Sequence, residues 1–243
     1  LNRHAEALKL LEETLAAQRR VLIPRTIELS PSTFQFGDHL DTLQTMNNLA
    51  NSYAALNRHA EALKLREQTL AAFKQALPPD HPNTLTSMIN VAFSYAALNR
   101  HAEALPLIDE LLAKANRPGV PPQLIRPAIG MRLVHFQKKG DPAGCRATAE
   151  MWEKLGRLDA GSLYDAACLR AVTASLQAKA KAPDAARLAR AEADQAMAWL
   201  TKAVAAGWTD AAEIRTNSQL DFLRDRDDFN KLVAELDRKQ DKK

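Results

Sequence analysis

Six histidines, two cysteines and a few adjacent acidic pairs are the residues of this chain that could do chemistry, and their spacing argues against it. His4, His59 and His101 belong to one recurring string, and His39 and His81 to the connecting segment ahead of it, so each kind occurs once per unit of sequence. Packed helices lie roughly 10 Å apart, whereas metal ligands gather within about 2 Å of one ion. Equivalent histidines on successive units therefore do not converge, no metal site is expected, and His135 stands alone as a packed or surface residue. Cys145 and Cys168 fall where helix pairs take small residues and read as packing thiols. Neither has an assignable His–acid partner for nucleophilic catalysis. Asp109-Glu110 and Asp227-Asp228 read as solvated faces, since a general acid needs a buried, perturbed carboxyl. Gly-x-Ser-x-Gly and P-loop patterns are absent. No catalytic residue and no cofactor are expected.

One constellation points to binding instead. Gln44, Asn47, Asn48 and Asn51 follow at steps of 3, 1 and 3, which places four amides on one stripe of a helix. Thr86, Asn90 and Phe93 stand near the equivalent stripe of the next unit. An amide both donates and accepts, so a ladder of amides can pair with the backbone of an extended peptide whatever its side chains. The alternative reading is that these residues are surface polar groups, or bond neighbouring helices to one another. No Lys or Arg interleaves with the asparagines, so recognition of a chain-terminal carboxylate is not expected.

Composition sets the class of element that must carry the stripe. The chain has 243 residues, 46% hydrophobic and 26% charged, which is the globular range. It holds 44 alanines but only 8 glycines and 5% aromatics, a balance that favours helix over sandwich or barrel. No apolar run approaches the length of a membrane span, and two cysteines do not make a disulfide framework. The net charge of +4 sits in the second half: residues 1–120 balance 12 basic against 12 acidic, and 121–243 carry 21 against 17. Arg238–Lys243 supplies much of that surplus as a basic tail, so nucleic-acid binding is not expected. The same features suggest a cytoplasmic location, with any membrane anchor of a longer parent outside these residues.

Internal repetition organises the chain. Leu-Asn-Arg-His-Ala-Glu-Ala-Leu occurs at 1–8, 56–63 and 98–105, at intervals of 55 and 42 residues. Asn51–Ala55 and Phe93–Ala97 align at the 42-residue interval, as do His39–Leu43 and His81–Leu85. The longer interval contains 13 extra residues around Pro24–Phe36, where an insertion bulges from a loop. Each unit reads as two helices. The first, about Leu40–Leu56, turns Leu43, Met46, Leu49, Ala50, Tyr53 and Leu56 inward. Asn57 tolerates the left-handed conformation that ends it. The second, about Arg58–Leu77, stops at Pro78-Pro79. His81–Leu98 and Arg100–Asn116 repeat the scheme, with a kink expected at Pro106. Beyond residue 122 the identity fades but the rhythm continues: Leu124–Lys139, Ala143–Leu155 after an Asp141-Pro142 helix start, Gly161–Lys181, Asp184–Ala206 and a final helix at about Asp227–Leu236.

Leu49-Ala50-x-x-Tyr53 followed by Ala62, and Val91-Ala92-x-x-Tyr95 followed by Ala104, resemble the tetratricopeptide repeat, in its 42-residue, kinesin-light-chain-like variety. Asn57 and Asn99 replace the usual turn glycine, and Arg66 occupies a position where a large apolar residue is typical. The resemblance implies an all-α solenoid of antiparallel helix pairs with a C-terminal capping helix, in which the first helix of each pair lines a concave groove. Gln44, Asn47, Asn48, Asn51, Thr86, Asn90 and Phe93 resemble the groove-facing positions. The expected divisions are a truncated first repeat plus insertion at 1–38, repeats at 39–80 and 81–122, a degenerate repeat at 123–157, a long degenerate pair at 158–208, and a cap with basic tail at 209–243. Within the degenerate repeat, Phe136 and Cys145 keep the offset of Tyr53 and Ala62.

Cys145–Trp152, Tyr164–Cys168 and Leu223–Phe229 are similar to the C-terminal region of large bacterial serine/threonine protein kinases, in which tetratricopeptide repeats follow a catalytic domain. That resemblance implies that the chain, which opens mid-repeat, is the tail of such an enzyme. The kinase motifs themselves are absent: each Arg-His pair is followed by Ala rather than by Asp. The expected function is a protein-interaction module binding a partner or peptide in its groove. A parent kinase, or a purely structural or oligomerising solenoid, is the alternative.

Overall fold

The Ala-rich composition and the 3–4 apolar step resolve into helices throughout residues 9–17 and 36–240, the part of the chain that this computed structural model describes. Residues 9–17 form α1. It is followed by α2 (Phe36–Ala55), α3 (His59–Ala76), α4 (Pro82–Ala97), α5 (His101–Leu112), α6 (Ile125–Lys139), α7 (Pro142–Lys154), α8 (Ala160–Ala178), α9 (Ala185–Ala205), α10 (Ala211–Thr216) and α11 (Asp227–Gln240), with 3-10 turns at Pro122–Leu124 and Ser218–Leu223. Among the described residues there is no strand, and no helix is long and apolar enough to cross a membrane. The repeat string at 1–8 lies outside the described residues, as does the insertion at Pro24–Phe36 apart from Phe36 itself.

The chain divides into two compact units, Leu1–Ala128 and Ile129–Lys243. In the first, α3 packs against both α2 and α4, and α4 against α5. Leu43, Met46, Leu49 and Ala50 of α2 are buried with Leu15 of α1 and with Leu65 and Phe73 of α3. On α3, Ala62, Leu63, Leu65, Thr69, Leu70 and Phe73 are buried, one face of the helix.

The same turn closes both helix pairs. Asn57 and Asn99 stand at φ of 59° and 58°, the left-handed region that a short amide side chain tolerates better than most. The N–H of Arg58 then donates to the Tyr53 carbonyl at 2.9 Å, and that of Arg100 to the Tyr95 carbonyl at 2.8 Å. Each arginine lies over the ring of the same tyrosine, 4.5 and 4.8 Å from its centroid, and pairs with the glutamate three residues on, Glu61 or Glu103. The recurring string thus sets a complete corner, not only a stop. His81, one of the recurring loop histidines, caps α4 by accepting from the Asn83 N–H at 3.2 Å through Nδ1.

Some boundaries differ from the sequence reading. Helix α2 begins at Phe36, inside the inserted segment rather than at Leu40. Helix α5 carries Pro106 within it and ends at Leu112 rather than Asn116. Past that point the N–H groups of Lys114, Ala115 and Arg117 reach back only three residues, so the chain tightens into turns instead of continuing the helix. Helix α10 and the 3-10 turn before α11 were not expected. Both place buried apolar residues, Ile214, Leu220 and Leu223, in an otherwise polar stretch.

The second unit is built around α8, which is buried on most of its circumference and packs against α7 and α9. Tyr164 stacks on Trp208 with ring centroids 4.1 Å apart. Leu200, Ile214, Leu223 and the α11 residues Phe229, Val233 and Leu236 complete the core. Helix α7 starts as expected, with the Asp141 carboxylate accepting from the Gly144 N–H at 3.0 Å. Gly144 also permits a close approach: a Cβ there would fall 2.1 Å from the Phe136 ring.

Three helices of this unit are tied by buried charge. Arg170 of α8 donates from Nε and a terminal nitrogen to both carboxylate oxygens of Glu153 on α7, each at 2.7 Å, and from its other terminal nitrogen to Glu192 on α9 at 2.9 Å. Glu192 also accepts from Arg146, and Glu153 from the Trp199 indole at 2.7 Å. With two arginines on two carboxylates the cluster is neutral, the condition under which burying charge is tolerable.

Candidate partner-binding site

Helix α2 presents Gln44, Asn48 and Asn51 as one exposed row, because positions four and three residues apart share a face. The Gln44 amide donates to Asn48 Oδ1 at 3.3 Å, which orients both side chains. Asn47 departs from the row: it is half-buried, and its Oδ1 is buried without a hydrogen-bond partner. Its counterpart in the next unit is Ile89, a core residue, so this position sits at the edge of the packed face rather than on the stripe. On α4, Thr86 and Asn90 are half-buried, whereas Phe93 keeps 44% of its surface exposed.

The residue that links the two helices comes from α3. Arg66 is buried, with 9% of its surface exposed. One terminal nitrogen donates to Asn51 Oδ1 at 2.8 Å. The other donates to Ser94 Oγ at 2.6 Å and to the Asn90 carbonyl at 3.2 Å. All three acceptors are neutral, and Nε is buried without a partner. Burial alone pulls its pKa below the ordinary arginine value, with no carboxylate nearby to offset it. For Asn51, therefore, the helix-bridging alternative describes its oxygen. No Lys or Arg interleaves with the asparagines along α2, but Arg66 reaches the stripe from the neighbouring helix. The signal lay in the sequence as a charged residue where the other units have Leu11 and Ile108.

A second feature recurs between units. The Tyr53 hydroxyl donates to Glu12 of α1 at 2.6 Å, and the Tyr95 hydroxyl to Glu67 of α3 at 2.5 Å. Each tyrosine thus holds the second helix of the preceding unit. A cleft of about 460 Å³ opens beside the first of these contacts, lined by Glu12, Leu49, Tyr53, Lys64 and Gln68 among others.

The remaining reactive groups are placed for packing. Cys145 is fully buried, which pushes its thiol up to about 12. Cys168 is buried and accepts from the Asn217 amide at 3.6 Å. His135 is buried edge-on to Phe136. Among the described residues no group of three His, Cys, Asp or Glu side chains is arranged to hold a metal ion.

Two helix pairs with the same left-handed asparagine turn and the same tyrosine contact to the unit before them now stand beside a family-level match: residues 41–117 fit the model of the tetratricopeptide repeat. This segment is a tetratricopeptide repeat array. No curated protein matches the chain. Among solved structures it is similar to the nearly identical TPR-like repeats of a putative kinesin light chain from Podosopora anserina, at 20% identity and a TM-score of 0.43, over 98% of this chain and 89% of that one. A single-substitution form of that same protein matches at the same identity and TM-score, over 100% and 90%.

The tyrosine contact of the tetratricopeptide array has a pH signature. The hydrogen bond to Glu67, with burial and the carboxylate charge adding to it, pushes the Tyr95 phenol from 10.0 up to about 12. The folded state thus holds this proton more tightly than the unfolded chain. The stability so contributed is whole below about pH 10 and is lost as the pH rises towards 12. In an absorbance titration of tyrosinate, Tyr95→Phe is expected to remove a step near pH 12, and Glu67→Gln to move that step back towards pH 10. A Tyr95 step near pH 10 in the unaltered protein contradicts the contact.

Proposed function

We propose that the chain is a protein-interaction module whose α2–α4 face holds an extended peptide segment of a partner. The observation that carries this reading is the exposed amide row of Gln44, Asn48 and Asn51 on α2, next to the polar positions of α4 and the exposed Phe93 ring. Amides pair with a peptide backbone without regard to its side chains, and an exposed ring beside them offers an apolar anchor. The tetratricopeptide identity of residues 41–117 supports it, since this fold serves generally as a surface for other proteins.

Replacing Gln44, Asn48 and Phe93 together by Ala tests the reading cleanly. Gln44 and Asn48 bond to each other at the surface, so removing both leaves no buried group unpaired. A hydrogen bond of this kind contributes about 0.5–1.5 kcal/mol, and about 1.4 kcal/mol is a tenfold change in affinity. Peptides selected from a random dodecapeptide display library on the unaltered protein are expected to bind the triple variant at least about tenfold more weakly, at unchanged helicity by circular dichroism. Equal binding by both proteins, or no selectable peptide at all, contradicts the reading.

A finer version makes the module the targeting arm of a serine/threonine kinase. It is supported by the sequence blocks Cys145–Trp152, Tyr164–Cys168 and Leu223–Phe229. It requires a native protein several times heavier than 26.8 kDa in the source cells. A native band near 26.8 kDa, detected with an antibody to residues 140–240, contradicts it.

A further inference from the structure

Arg66 does something that packing does not require. The equivalent positions of the units on either side are Leu11 and Ile108, so an aliphatic side chain suffices there. An arginine in that place buries a positive charge, which is costly unless a counter-charge answers it. The described structure supplies three neutral acceptors and no carboxylate. Arg170, the other deeply buried arginine among the described residues, is met by Glu153 and Glu192.

The guanidinium also decides how Asn51 presents itself. A guanidinium only donates, so the Asn51 oxygen must face Arg66, and it does at 2.8 Å. The Asn51 NH2 is thereby left as a donor on an exposed residue, polarised by the cation behind it. Asn48 is constrained in the same sense, because its oxygen already accepts from Gln44. Two neighbouring stripe amides thus offer donors in front of an unanswered positive charge.

We infer that this part of the stripe takes the side-chain carboxylate of an Asp or Glu in the bound segment, with Asn51 as the contact and Arg66 as the residue that orients and charges it. The inference rests on the peptide-binding reading above. Arg66 joins α2 to α4, so a segment running along both stripes crosses it in mid-course rather than ending there. That favours an acidic side chain over a chain terminus.

The probes are fluorescent, N-acetylated and C-amidated decapeptide pools, random except for a central Glu or a central Gln. A third pool carries the central Gln and a free C-terminal carboxylate. The unaltered protein is expected to bind the Glu pool about tenfold more tightly than the amidated Gln pool. Arg66→Leu, which copies the neighbouring units, is expected to bring the two pools level. Asn51→Asp answers the cation from within. It is expected to raise the thermal midpoint and to remove the preference, and it carries the test should Arg66→Leu fold poorly. Equal binding of the Glu and Gln pools overturns the inference and leaves the peptide-binding reading standing. Binding of neither pool overturns both. A preference that survives both variants, or that appears only with the free C-terminal carboxylate, overturns the assignment of the side-chain carboxylate to this site.

Discussion

A pair of amphipathic helices has more apolar surface than the two can cover for each other, and the first unit of this protein is organised by that shortage. Helix α3 buries one side against α2 and another against α4, so no helix pair there is complete without the next. Burial is non-directional and would not by itself fix one arrangement. Direction comes from the recurring corner: a left-handed asparagine, an arginine laid over the tyrosine ring, and a tyrosine hydroxyl reaching a glutamate of the unit before. Because these contacts recur at Tyr53–Glu12 and Tyr95–Glu67, successive units adopt the same register, and the exposed row of α2 and the Thr86, Asn90 and Phe93 positions of α4 are equivalent.

The two buried arginines show how differently one residue type can be used. Arg170 is enclosed by carboxylates from α7 and α9 and locks three helices of the second unit together. Arg66 is enclosed by amide, hydroxyl and carbonyl oxygens. The first arrangement closes its charge inside the protein. The second leaves a positive potential behind Asn51, on the face that the amides already mark as polar and accessible.

Much of the first unit was legible in the sequence because its information is local and repeated. The eight-residue string announced the period, the apolar step placed α2 to α4, and the tolerance of asparagine for positive φ located both turns. The Asp141-Pro142 start of α7 was legible for the same reason. What escaped was non-local. Arg66 could be recognised as out of place among apolar residues, but its partners lie 15 to 28 residues away and only the fold brings them together. The Arg170 cluster spans α7 to α9. Asn47 was placed on the stripe by step counting alone. A rotation of less than a turn separates the exposed row from the edge of the core, and the burial of its counterpart Ile89 shows on which side the position falls.

The central claim is that the α2–α4 stripe, and not another surface, is where a partner is held. Side-chain amide resonances of Asn and Gln report that face directly, since they are few and separate from the backbone spectrum. During titration with a library-selected peptide, the NH2 signals of Gln44, Asn48, Asn51 and Asn90 should move first and furthest. Unmoved signals at those four residues, with shifts instead at Gln68 and around the Glu12–Tyr53–Lys64 cleft, would contradict the account.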